Sequence, residues 1–228
     1  MEKTIYIPRL STYSYAFPDP KKADPTGLLA WGGDLKKERI LNAYMQGIFP
    51  WYNANDPILW WSPDPRLVLK TKDIKISKSL RKSLKKFEIR FDTNFEKVIH
   101  SCRDVRVQNS EDSWISDELI DVFYSLHIEH FAHSVESYYK GELVGGLYGL
   151  YLGGMFCGES MYSSKADASK CALVTLCSKI DELGGDFIDC QIPTEHLKSM
   201  GAIEIRRDEF LDMVKNSLET KSYFGSWL

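Results

Sequence analysis

The chain has 228 residues, 43% of them hydrophobic and 27% charged, and a formal net charge of −3. These values describe an ordinary soluble globular protein of one large domain or two small ones and exclude general stickiness toward polyanions. Five cysteines (Cys102, Cys157, Cys171, Cys177, Cys190), with no Cys-x-x-Cys spacing, read as reduced thiols in a cytoplasmic protein, not as a disulfide frame or zinc site. The stretch MEKTIYIPRL lacks the apolar run of a signal peptide.

Eight of the nine prolines fall in residues 1–66. One short helix is predicted among them, over Lys36–Gln46. Asp34 is its candidate N-cap, Ile40, Leu41 and Tyr44 its apolar side, and Gly47 its stop. Gly47–Arg66 then holds three of the six tryptophans (Trp51, Trp60, Trp61) with Phe49, Tyr52 and four prolines. Proline excludes a regular helix there. The rings therefore either stack on a planar ligand beside Arg66, a nucleobase being the commonest, or form a small proline-braced core.

Composition changes at Leu67, so we expect a small N-terminal domain over 1–66 and a larger one over 67–228. Lys70–Arg90 carries nine basic residues against Asp73 and Glu88, leaving −10 on the other 207 residues. Within it a helix is predicted over Ser77–Phe87. Ile76, Leu80, Leu84 and Phe87 form one face, and Lys78, Arg81, Lys82 and Lys85 form another. A face with so few acids points to one polyanion-binding surface; the alternative is a solvated charged face.

Helices follow at Phe95–Arg103 and Asp117–His130, then strands at Ala132–Tyr139, Leu143–Leu152 and Met155–Tyr162. The uncharged run Leu143–Gly158 is short for a membrane span and contains six glycines, so adjacent strands fit it better. A long helix over Lys165–Leu183 is stopped by Gly184–Gly185. A buried strand Phe187–Gln191, a helix Thr194–Met200, a strand Ala202–Arg206 and a helix Glu209–Leu218 complete a mixed α/β layout with the character of an acyltransferase core.

Two constellations could carry chemistry. Asp189 and Gln191 fall on one face of their strand by period-two geometry and could orient an amine; they could equally be a buried polar pair. Glu159, flanked by apolar residues, must face a cationic group or an internal partner. His127, His130 and His133 tempt a metal reading, but they straddle a helix end and a strand start, and no metal is expected. The phosphate loops of nucleotide-binding folds and the coenzyme A pyrophosphate loop are absent from the sequence. That argues against an acetyl-CoA-dependent N-acetyltransferase. A non-catalytic RNA-binding module is the other rival.

Eight segments in order resemble the bacterial leucyl/phenylalanyl-tRNA–protein transferases: GLLAWGGDL (27–35), GIFPW (47–51), DPILWWSPDPR (56–66), AHSVE (132–136), LVGGLYG (143–149), GESM (158–161), DASK (167–170) and IDCQ (188–191). The resemblance runs from about Phe17 to Phe210. It implies an α/β (α+β) protein with a small N-terminal domain and a mixed-sheet domain like the GCN5-related acetyltransferase fold. It implies transfer of Leu, Phe or Met from aminoacyl-tRNA to proteins with N-terminal Arg or Lys, marking them for degradation. A cytoplasmic monomer without cofactor or membrane attachment is expected. By carry-over, Asp189 and Gln191 are the catalytic residues that position the amine and help deprotonate it, Gln191 as orienter and acceptor. Tyr44, Trp51 and Trp114 line the site for the terminal adenosine, and Phe156 and Met161 the pocket for the donor side chain. Glu159 faces the acceptor's basic end or is structural, and Lys78, Arg81, Lys82 and Lys85 meet the acceptor stem. Trp31 departs from the small or aliphatic residue usual before Gly-Gly-Asp.

Overall fold

A computed structural model describes residues 6–53, 55–108, 114–220 and 225–227. The first half of the N-terminal segment builds β1 (Arg9–Leu10), β2 (Leu28–Gly32) and α1 (Lys37–Tyr44). The aromatic, proline-rich stretch adds β3 (Phe49–Pro50) and β4 (Leu59–Trp61), giving a four-stranded sheet of order β1-β2-β4-β3. These strands are two to five residues long, too short for an alternation to show in the sequence. Pro50 sits on edge strand β3, where its missing N–H takes nothing from the ladder.

The second sheet has seven strands in the order β11-β5-β10-β9-β8-β7-β6. Its members are β5 (Arg66–Lys70), β6 (Glu88–Phe91), β7 (Ala132–Tyr139), β8 (Glu142–Leu152), β9 (Met155–Ser163), β10 (Phe187–Gln191) and β11 (Ile203–Ile205). The helices are α2 (Lys78–Leu84), α3 (Phe95–Gln108), α4 (Asp117–Ile128), α5 (Ala168–Glu182), α6 (Glu195–Ser199) and α7 (Arg207–Thr220). The glycine-rich run folds as the β8–β9 hairpin, and no helix among the described residues is long and apolar enough to cross a membrane. The mixed α/β class expected from the sequence is therefore the one observed.

Only β9 and β10 run parallel in this sheet, joined by α5 as the crossover. The glycines of β8 let its neighbours close in. A Cβ on Gly145 would lie 2.6 Å from Ala168 of α5, and one on Gly146 would lie 3.3 Å from Val98 of α3. α5 thus covers one face and α3 the other. The α3 face shares one continuous core with the N-terminal sheet, joining Trp60, Tyr44 and Phe49 to Phe95, Phe123 and Tyr148. Leu67, Leu69, Phe156 and Ile188 pack under α5 with Leu80 of α2.

The helix start at Asp34 is corrected. Lys36 occupies the N-cap without a side-chain bond, and α1 begins at Lys37. Asp34 instead accepts from the fully buried Arg39 at 3.1 Å, because an uncompensated guanidinium inside the core would be costlier than an uncapped helix end.

Candidate active site

β9 and β10 pair through Cys157 and Asp189 and then part. Each is irregular where they separate. On the β8 side, Tyr148 pairs with Ser160 and Gly149 with Gly158, so Glu159 is an extra, bulged residue. On the β5 side, Val68 pairs with Asp189 and Leu67 with Gln191, so Cys190 is extra, and Gln191 adopts a left-handed φ of 62°. Bulges re-aim side chains, and this facing pair turns Glu159 and Gln191 toward each other.

A cavity of about 440 Å³ opens at this parting. Leu147 and Tyr148 are consecutive on β8 and point to opposite faces, yet both line it, so the cavity spans both sides of the sheet. Its α5 side is apolar, with Leu147, Phe156, Met161, Leu173, Leu176 and Ile188. Its other side is aromatic and polar, with Trp51, Trp114, Arg106, Tyr148 and Glu159. Gln191 stands at the junction.

Six of the expected site residues line this one cavity: Trp51, Trp114, Phe156, Glu159, Met161 and Gln191. Trp51 is 43% exposed and braced edge-on by Trp61, whose Nε1 donates to the Trp51 carbonyl at 2.6 Å. Trp114 is buried against the cavity wall, while Trp60 is wholly inside the core. The tryptophan-rich stretch therefore divides between a proline-braced core and a ligand-accessible ring.

Tyr44 does not line the cavity. It lies on the buried face of α1, and its hydroxyl donates to Glu159 Oε1 at 2.7 Å. The same oxygen accepts from Gln191 Nε2 at 2.9 Å. With its NH₂ group held there, the Gln191 carboxamide turns its oxygen away from Glu159. Burial is the main cause that pushes the Glu159 carboxyl up, to about 8. Burial first, and then Glu159, push the Tyr44 hydroxyl up as well, so it remains a neutral donor.

Asp189 is likewise not on the cavity surface. The bulge at Cys190 breaks the period-two relation that would have placed its carboxylate beside the Gln191 side chain. It pairs with Arg66 at 2.8 and 2.6 Å, both side chains about 1% exposed. Its Oδ1 also accepts the Gln191 backbone N–H at 3.0 Å. Arg66, expected as a neighbour for a stacked ligand, is instead sealed between Phe49 and Phe210, 4.8 and 4.4 Å from their ring centres. Its charge is directed at Asp189.

Lys78, Arg81, Lys82 and Lys85 are all exposed, and none makes an ion pair among the described residues. They do not reach the cavity. Their helix packs on α5, whose Leu173 and Leu176 form the cavity's apolar wall, so the cations stand one helix away. Two histidines of the triplet are engaged elsewhere: His133 contacts Asp92 at 2.7 Å, and His127 contacts the Ala132 carbonyl at 2.9 Å. No group of side chains among the described residues has the arrangement to hold a metal.

Sequence reasoning missed Arg106, Tyr148 and the α5 leucines as lining residues. Tyr148 sits in an apolar alternation that reads as core, and Leu173 and Leu176 follow the ordinary spacing of a buried helix face. Only the parting of β9 and β10 turns these positions into cavity walls.

Residues 68–215 match the family model described as leucyl/phenylalanyl-tRNA protein transferase, and residues 33–64 match the model of its N-terminal domain. A leucyl/phenylalanyl-tRNA–protein transferase of Sulfurimonas denitrificans is 54% identical over 90% of this chain and 90% of its own. One from Nitrosospira multiformis is 51% identical over 97% and 96%, and one from Desulforapulum autotrophicum 47% identical over 93% of each. Among solved structures, a ribosomal-protein-alanine N-acetyltransferase from Brucella melitensis aligns over 62% of this chain and 96% of its own, 11% identical, with a TM-score of 0.35. A possible acetyltransferase from Clostridium difficile aligns over 62% and 95%, 12% identical, with a TM-score of 0.36. The chain belongs to the leucyl/phenylalanyl-tRNA–protein transferase family, which are aminoacyltransferases.

Proposed function

We propose that this family member moves Leu, Phe or Met from the 3′ end of aminoacyl-tRNA onto the α-amine of proteins that begin with Arg or Lys, marking them for degradation, and that it does so as a cytoplasmic monomer. The observation that carries this reading is the two-sided cavity: apolar under α5, aromatic and polar on the opposite face, with a polar junction where the strands part. An aminoacyl-adenosine has the same division, an apolar side chain on one side of an ester and a flat base on the other.

In this reading the donor side chain fills the space against Phe156 and Met161. Leu, Phe and Met are unbranched at Cβ, so a narrow entrance disfavours Ile and Val, within the roughly 1–3 kcal/mol that one methyl can supply. The terminal adenine stacks against Trp51 and Trp114, worth roughly 1–3 kcal/mol per base. Lys78, Arg81, Lys82 and Lys85 meet the acceptor-stem phosphates, and residues 1–66 act as a small domain that carries Tyr44 and Trp51 to the site.

The ester is already activated, so the enzyme's task is alignment. The amine nitrogen attacks the ester carbonyl, the nitrogen–carbon bond forms, and the carbon–oxygen bond to the ribose breaks. The nitrogen loses a proton, and the ribose oxygen leaves with the bonding pair and ends as a hydroxyl. The Gln191 carboxamide oxygen accepts from the incoming N–H and orients its lone pair; a carboxamide is too weakly basic to hold the proton. Tyr44 and Glu159 hold that carboxamide, and Asp189, neutralised by Arg66, anchors the Gln191 backbone. Asp189 is thus a positioning residue.

The test is incubation of Leu-tRNA with a peptide starting in Arg, read by mass. Addition of one leucyl residue to the N-terminus is expected. A peptide of unchanged mass, or acylation at a side chain, refutes the proposal.

A further inference from the structure

Formation of the amide drives the ester's π electrons onto the carbonyl oxygen, and none of the residues assigned above meets that charge. Gln191 and Glu159 face the nucleophile and each other. Tyr148 offers the missing group. Its side chain is 0% exposed, it lines the cavity, and its hydroxyl has no hydrogen-bond partner among the described residues. Buried polar groups are nearly always paired, so an unpartnered hydroxyl on a cavity-lining residue calls for a ligand atom.

The ring is held in place. Phe95 and Phe123 pack edge-on against it, at 5.9 and 5.6 Å and interplanar angles of 78° and 86°. Its backbone pairs with Ser160, directly beside the Glu159 bulge that opens the sheet. The hydroxyl is electrostatically close to Glu159 and to Cys102 and Arg106 of α3, and Glu159 and Arg106 line the same cavity. Both hydrogen bonds of Glu159 fall on Oε1, from Tyr44 and Gln191, and the Tyr148 hydroxyl makes none with it. Burial, and then Glu159, push the Tyr148 hydroxyl well above the usual tyrosine range, so it keeps its proton and remains a donor.

We propose that Tyr148 is a catalytic residue whose hydroxyl donates to the oxygen of the reacting ester carbonyl, more strongly as that oxygen becomes an oxyanion. The assignment rests on the aminoacyl-transfer reading above. As the amine nitrogen bonds to the carbonyl carbon, the π pair moves to oxygen and is held by the Tyr148 O–H. When the pair returns, the bond to the ribose 3′-oxygen breaks and that oxygen takes up the proton lost by nitrogen. A preorganised donor needs no solvent reorganisation at that moment.

Tyr148→Phe keeps the ring between Phe95 and Phe123 and removes only the hydroxyl. The single-turnover rate should fall about 10²–10³-fold, the cost typical of one oxyanion donor, with KM for tRNA and peptide within about threefold of wild type. Binding supplies a readout independent of turnover and insensitive to a purely structural defect. One probe is the adenosine 3′-ester of the phosphonic analogue of leucine, which carries tetrahedral oxyanions; the other is leucine held on adenosine by a 3′-amide. The variant should bind the first about 10²-fold more weakly and the second about as tightly as wild type. Equal weakening of both, or of neither, overturns the assignment. So does a variant rate within twofold of wild type. If wild type itself transfers nothing and binds neither probe, the aminoacyl-transfer reading falls and this assignment with it; if wild type is active, only the role of Tyr148 is at stake.

Discussion

Glu159 is the group on which pH should act most strongly. Its carboxyl is raised to about 8 from an ordinary value of 4.5, above all by burial. Between those two values the folded protein holds a proton that the unfolded chain has released, so stability falls as pH rises, by about 1.4 kcal/mol per pH unit. The contribution is fully present below about 4.5 and gone above about 8, a total on the order of 5 kcal/mol. Glu159→Gln keeps the shape, and its amide oxygen can accept from Tyr44 and Gln191 as Oε1 does. The variant should lack the slope. Urea unfolding of both proteins at about pH 5.5, 6.5 and 7.5 gives a variant-minus-wild-type difference in which the other titrating groups cancel. That difference should grow by about 1.4 kcal/mol per unit in favour of the variant, or about 2–4 °C in Tm for each kcal/mol. Parallel pH profiles for the two proteins would show that Glu159 is not a buried, protonated acid.

Two further outcomes rest on the basic helix and on the buried ion pair. Replacing Lys78, Arg81, Lys82 and Lys85 by Gln should raise the KM for aminoacyl-tRNA and leave an aminoacyl-adenosine donor nearly untouched. It should also flatten the log–log salt dependence by roughly 0.7–0.9 for each phosphate the variant no longer neutralises; equal effects on both donors would refute the acceptor-stem assignment. Asp189→Ala should cost about 3–5 kcal/mol by stranding the buried Arg66 charge, while Arg66→Met with Asp189→Leu should regain most of the Tm. The double variant should stay slow, because the Gln191 backbone N–H is left without its acceptor, and recovery of kcat along with Tm would exclude a positioning role for Asp189.

Much of this molecule is legible along the chain. β7 and β10 have the predicted bounds, and β8, β9, α5 and α7 lie within a few residues of theirs, because apolar periodicity and glycine stops are local signals. The basic face of α2 is equally local: four cations at helical spacing beside an apolar stripe place themselves on the surface. The residue types at the site were readable as well, since a run such as Gly-Glu-Ser-Met or Ile-Asp-Cys-Gln names its members whatever they touch.

Who touches whom was decided in three dimensions. Arg66 and Asp189 are 123 positions apart, and Tyr44 and Glu159 are 115 apart. No periodicity reports a partner at such range. The bulges at Glu159 and Cys190 exist only because β9 is held by β8 on one side and β10 by β5 on the other while the two part between them. That parting moved Asp189 off the cavity wall, brought Gln191 to its junction, and turned Tyr148, a core tyrosine by its pattern, into a cavity-lining residue whose buried hydroxyl has no partner among the described residues. A strand's alternation is set by its own backbone, but a departure from it depends on the neighbouring strands, and only the assembled sheet supplies those.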